Sequence, residues 1–151
     1  MTTLKDRLQQ DLTTAIKSRD ELRAATLRLA LTAVKTEEVA GTASRELSDE
    51  EIVRVLGREA RKRREAAAAF EGAGRQDRAE RELAEGAVLD EYLPAQLSDA
   101  ELEMLVAAAI AEAGATEPRA MGRVMKIVTP RLAGRAEGGR VATEVRRQLG
   151  G

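Results

Sequence analysis

The sequence contains no cysteine, no histidine and no tryptophan among its 151 residues, and only one phenylalanine and one tyrosine. Without cysteine there is no disulfide framework, no cysteine zinc site and no cysteine nucleophile. Without histidine the commonest general acid/base and the commonest transition-metal ligand are both missing. With aromatics at 1%, the core must come from Leu, Ile, Val, Met and Ala. Thin apolar stripes of that kind suit helix packed on helix better than a sheet or a globular cleft. No stretch approaches the roughly 20 apolar residues that a membrane helix needs. The opening Met-Thr-Thr-Leu-Lys has no apolar signal core either, so a cytoplasmic protein with no membrane role is expected.

What is present is charge and helical periodicity. Charged residues make up 34% of the chain, yet the net charge is only −1. The chain turns on the stretch Leu89-Asp-Glu-Tyr-Leu-Pro-Ala-Gln-Leu97. Pro94 has no N–H and pushes Leu93 out of the α region, so an incoming helix should stop near Tyr92. Ser98 and Glu101 then have the spacing of a capping box that opens a new helix. The expected fold is all-α, with a long-helix N-terminal domain of about four helices over 1–93. A compact three-helix C-terminal domain over 94–151 follows.

Taken in order, Thr3 is a candidate N-cap for a first helix with Leu4, Leu8, Leu12, Ala15 and Ile16 on one face. Asp20 caps a second helix, on which Leu22, Ala25, Leu29 and Ala33 form one stripe and Leu27, Leu31 and Val34 another. Two stripes predict a helix covered on two sides in the middle of a bundle. Ser48 and Glu51 open a third helix running to about Glu71. Gly57 lies inside it and suggests close approach of a neighbouring helix. After the Gly72–Gly74 break a fourth helix runs from Asp77 to Tyr92, with Leu83, Ala87 and Leu89 inward.

Helices three and four carry opposite charge. Arg54 to Arg64 holds six bases and one acid, and Gln76 to Glu91 holds six acids and two bases. Antiparallel packing would set these side by side, and solvated faces with weak exposed pairs account for them. In the C-terminal part Gly114 ends a short helix, Thr116 caps the next, and Pro130 makes the end of that helix irregular. Gly134 to Gly139 turns into a last helix with Val141, Val145 and Leu149 inward.

No catalytic centre emerges. Ser18, Ser44, Ser48 and Ser98 have no histidine to activate them and no glycine-flanked elbow. The acids at Asp49–Glu51 are the first turn of a capped helix, where they favour the macrodipole. Those at Glu80, Glu82 and Glu85 read as structural rather than as metal ligands. Gly134–Gly139 matches neither nucleotide-loop pattern and has no strand before it. No cofactor or metal is implied.

The basic segments are the functional candidates. Arg58, Arg61 and Lys62 share a face of helix three, with Arg54 one turn earlier. Residues 115–151 hold eight bases and three acids, a net of +5, whereas 94–114 hold four acids and no base. Arg supplies 20 of the 25 basic residues, and its planar fork suits phosphate and carboxylate alike.

The sequence resembles the GatB/YqeY family in its stand-alone, YqeY-like form. The likeness is carried by Leu4 to Asp11, Leu27-Arg28-Leu29, Arg61-Lys-Arg-Arg-Glu65, Phe70-Glu-Gly-Ala-Gly-Arg75 with Ala79-Glu80, and Leu89 to Leu97. Met121-Gly-Arg-Val-Met125 and Gly134-Arg-Ala-Glu-Gly138 complete it, with Glu137 where Asp is commoner in the family. The resemblance implies a helical N-terminal part joined to a three-helix C-terminal part. It also implies a tie to carbon–nitrogen ligases that use glutamine as amido donor. The same module ends the B subunit of glutamine-dependent tRNA amidotransferases, where it helps to hold tRNA while other domains do the chemistry. The implied partner is therefore tRNA or another structured RNA. Arg119, Arg123, Lys126, Arg135 and Arg140 are chosen by charge as further contacts. A helical adaptor for a protein partner, with no RNA role, is the alternative.

Overall fold

The structure is a computed structural model and describes residues 2–150. Among these are seven α-helices, one 3-10 turn and no strand. The helices are α1 (Leu4–Lys17), α2 (Glu21–Glu38), α3 (Asp49–Gly72), α4 (Gln76–Asp90), α5 (Asp99–Ala113), α6 (Met121–Leu132) and α7 (Gly138–Gln148). The 3-10 turn, Pro118–Ala120, leads directly into α6. The chain divides into two compact units, Met1–Leu93 and Pro94–Gly151. No helix among the described residues is long and apolar enough to cross a membrane.

Local chemistry sets most helix starts. The hydroxyl oxygens of Thr3 and Ser48 accept the N3 amide, and the acids Asp6 and Glu51 reach back to the cap amide, completing two capping boxes. Asp20 accepts from the Arg23 amide to open α2. At α5, Ser98 accepts from the Glu101 amide at 3.1 Å, but the Glu101 carboxylate takes the Ser98 hydroxyl rather than the cap amide. Gly114 closes that helix with φ 63°, the left-handed backbone that glycine adopts without a Cβ clash.

In the first unit Leu8, Leu27, Val34, Ile52 and Leu56 are essentially inaccessible and form the core with Val88, Leu89 and Tyr92. Of the two stripes expected on α2, Leu27 and Val34 of the second are buried, joined by Ala30, with Leu31 partly buried; of the first, Leu22 and Ala33 pack partly against the core and Leu29 is half exposed. On α4 the inward face differs from the expected one. Leu83 and Ala87 point outward, and Ala79, Glu85, Gly86 and Leu89 point in. Part of the reason lies across the hairpin. Arg63 on α3 contacts Glu82 at 3.3 Å and Glu85 at 3.4 Å, with Glu85 also held by Arg81 at 3.1 Å. These pairs are not solvated faces, since the Glu85 side chain is 10% exposed and Arg63 25%. The inward face of α4 thus combines charges paired with α3 and the apolar Ala79, Val88 and Leu89.

Two glycines also differ from expectation. A Cβ on Gly57 would meet nothing within 4 Å, so no helix approaches closely there. The close approach is at Gly86, where a Cβ would lie 3.6 Å from the Arg63 Cβ.

The second unit packs α5, α6 and α7 around Leu102, Val106, Val124, Val128, Val141 and Val145. The Leu97 amide donates to the Arg135 carbonyl at 2.8 Å, tying the entry of the unit to the turn before α7. Thr116 does not cap α6. Pro118 holds Glu117 extended (φ −146°, ψ 156°), and the 3-10 turn starts there with proline at its first position. Pro130 lies in the last turn of α6, which runs on to Leu132 and ends irregularly, with Ala133 in the left-handed region at φ 49°. Pro130 is on the solvent side, so the carbonyl it leaves without an N–H partner can be hydrated.

Candidate nucleic-acid interface

The electrostatics of the first unit are largely closed on themselves. Arg58 pairs with Glu37 at 3.4 Å, Arg61 with Glu65 at 2.9 Å, and Lys62 with Glu59 at 3.2 Å. All three cations are exposed, and each has a carboxylate beside it. The loop after α2 is held by two acids. Glu38 is buried, takes Lys5 at 3.0 Å and accepts the Leu47 amide at 3.3 Å. Glu51 forms a two-pronged pair with Arg45. The Lys5 hydrogen bond first, and then the Leu47 amide, hold the Glu38 carboxyl below its ordinary range. Arg45, followed by the Ser48 amide, pulls Glu51 down to about 2.

Tyr92 lies under a cation. The Arg7 guanidinium sits 4.7 Å from its ring centroid, and the phenol donates to Asp11 Oδ2 at 2.5 Å. Burial, then the bond to Asp11, pushes the phenol well above its usual range, so it stays neutral. Next to it Arg23 binds Glu91 at 2.6 Å. With every member satisfied, this cluster reads as a latch between helices, not as a reactive site.

The second unit distributes its cations differently. Arg123 and Lys126 stand one turn apart on the solvent side of α6, opposite the buried Val124, Val128 and Leu132. Arg119, in the turn before, continues the same face. Its side chain is 84% exposed and contacts Glu117 at 2.6 Å. Among the described residues Arg123 donates to the Ala113 carbonyl alone, at 3.4 Å, and Lys126 makes no ion pair. No acid occurs anywhere in α6.

Arg135 and Arg140 do not join that face. Arg135 donates to the Leu132 and Arg131 carbonyls at the C-terminus of α6, where a cation offsets the helix dipole. Arg140 binds Asp99 at 2.8 Å, beside an open groove of about 420 Å3 between α5 and α7. The groove's other charges are also paired, Arg147 with Glu103 at 3.4 Å and with Glu144. The structure therefore brings together Arg119, Arg123 and Lys126. It leaves Arg58, Arg61 and Lys62 neutralised on α3, and it commits Arg135 and Arg140 to local contacts. The sequence reading missed the Arg63–Glu82–Glu85 cluster. Its only local signal was Glu82 and Glu85 at helical i,i+3 spacing opposite a basic run.

The chain belongs to the YqeY-like protein family, whose model matches residues 5–149. A search of the curated proteins finds no match.

Proposed function

We propose that this YqeY-like chain is a non-catalytic accessory module of the cytoplasm that binds tRNA or an RNA–protein assembly. The observation that carries the reading is α6. It presents Arg123 and Lys126 to solvent, follows Arg119, and contains no acid that would neutralise them. Phosphate groups are the natural complement of such a face, with Arg suited to two-pronged contact and Lys to a point charge. With aromatics at 1%, base stacking has few platforms, so recognition falls on duplex shape and backbone rather than on single strands. The division into a four-helix domain over 1–93 and a three-helix domain over 94–151 is part of the proposal, with the RNA contact assigned chiefly to the latter.

The test is tRNA affinity against salt concentration. Phosphate contact requires binding to weaken steeply as salt rises, and absence of binding at low salt removes the reading. One observation favours an adaptor instead. Helix α5 has an uncharged outer side of Met104, Ala107, Ala108 and Ala111, with Met104 74% exposed. Retention of a protein partner after nuclease treatment, lost in Met104→Lys, would move the assignment there.

A further inference from the structure

Three glycines call for an account: Gly57 and Gly86 in the interiors of α3 and α4, and Gly122 as the second residue of α6, directly after the 3-10 turn. Gly86 has a packing reason, being buried against the Cβ of Arg63. The other two have none. A Cβ at either would meet nothing within 4 Å, and neither has a positive φ. Gly57, in a helix interior, gives up helix propensity for no internal contact.

The residues around these two glycines follow one pattern. The first reads Arg54-Val-Leu-Gly57-Arg58-Glu-Ala-Arg61, and the second reads Arg119-Ala-Met-Gly122-Arg123-Val-Met-Lys126. Bases stand at −3, +1 and +4 from the glycine in both, once in each unit of the chain. On α3 the −3 and +4 positions flank Gly57 on its own face; at α6 the +4 position lies one turn beyond Gly122, and the −3 residue, Arg119, stands in the 3-10 turn that leads into the helix. In both cases the −2 and −1 residues turn inward, Val55 and Leu56 being buried, Ala120 buried and Met121 half-buried. Each glycine thus leaves a stretch of backbone with no side chain standing off it, half-buried at Gly57 and exposed at Gly122, with three exposed cations close by along the chain.

We propose that Gly57 and Gly122 are equivalent contact points at which the phosphodiester backbone of structured RNA lies directly against a helix. This rests on the RNA-binding reading above and deepens it. Side chains hold a ligand several ångströms off the helix barrel, and glycine removes that spacer where flanking cations can reach phosphate oxygens from both sides. A phosphodiester chain repeats the same charged unit, so one device used twice is what such a ligand would select. The Gly122 site is the stronger of the two, because α6 lacks acids and only Arg119 must give up a carboxylate, that of Glu117. At the Gly57 site Arg58 and Arg61 must first give up Glu37 and Glu65. Those pairs are exposed and weak, so phosphate can displace them.

The test uses the full chain, unfractionated tRNA as probe, and the variants Gly122→Leu and Gly57→Leu. Leucine is a good helix former and enters open space, so helical circular dichroism and melting temperature should hold or rise. Neither variant changes charge. Gly122→Leu is expected to weaken tRNA binding at least about tenfold and Gly57→Leu about threefold. Gly122→Gln serves as the second variant should a leucine variant lose helicity. Folded leucine variants that bind tRNA like the parent overturn the inference; if the double variant Arg123→Gln, Lys126→Gln still weakens binding, the RNA reading survives it. A parent that fails to bind tRNA at low salt removes both. Polyglutamate displacing tRNA at equal charge concentration would mark a general polyanion surface and overturn the assignment to a phosphodiester chain.

Discussion

The Tyr92 hydroxyl donates to Asp11 at 2.5 Å across 81 positions of sequence, joining the turn after α4 to the middle of α1. A hydrogen bond to a charged group contributes about 1.5–3 kcal/mol. Tyr92→Phe is therefore expected to destabilise the first unit by about 1–2 kcal/mol, read as a lower urea midpoint with unchanged slope. Because the phenol's folded pKa is raised, its stabilising effect is complete below the ordinary tyrosine range and fades as pH climbs beyond it. Phenolate absorbance should accordingly emerge only well above pH 10, and Asp11→Asn should bring it part of the way back.

Acid should act first on the loop between α2 and α3. Glu38 and Glu51 both have depressed pKa values, Glu51 about 2. Depressed carboxylates stabilise above their unfolded values and lose that effect as pH falls toward the folded ones. Amide exchange at Arg45 and Leu47 is expected to quicken, relative to that of the α3 core, between about pH 4.5 and 2. Protection that stays unchanged over this window would show that the two carboxylates do not hold the loop.

Two arginines on α3 should behave oppositely although they carry the same charge. Arg63 sits between Glu82 and Glu85, and Arg58 meets one exposed acid. Arg63→Ala leaves two carboxylates facing each other, one with an oxygen that makes no hydrogen bond. Allowing for partial exposure, it should destabilise by about 2–3 kcal/mol, and Arg58→Ala by less than about 0.5 kcal/mol. Equal effects in urea melts would contradict the packing described for α4.

On α6 the expected signature is one of salt dependence. Each phosphate contact contributes about 0.7–0.9 to the slope of log affinity against log salt. The double variant Arg123→Gln, Lys126→Gln should flatten that slope for tRNA by roughly 1.5, while Arg140→Gln, at a residue bound to Asp99, should hardly alter it. A slope unaffected by the double variant would place the contact elsewhere.

Helix starts were legible because a cap is a local device. Thr3, Asp20, Ser48 and Ser98 each accept the amide three residues on, as their spacing requires. The rotation of α4 was not legible, because it depends in part on Arg63, some twenty residues away on another helix. Read alone, Leu83 and Ala87 look like core; set opposite Arg63, Glu82 and Glu85 take the inward positions. The start of α6 was misread for a local reason, since Pro118 overrides Thr116. Among the basic candidates the charges were legible but their partners were not. Arg58 finds Glu37 and Arg140 finds Asp99 only once the chain has folded.

The hairpin of α3 and α4 bears on how the chain reaches its fold. Every contact within it closes over the short turn at residues 73–75, so little chain entropy is lost in bringing its two arms together. Pairings of that kind form quickly, whereas the Tyr92–Asp11 latch must wait for distant parts of the polypeptide to meet. Residues 49–90 are thus suited to act as the template on which α1 and α2 assemble.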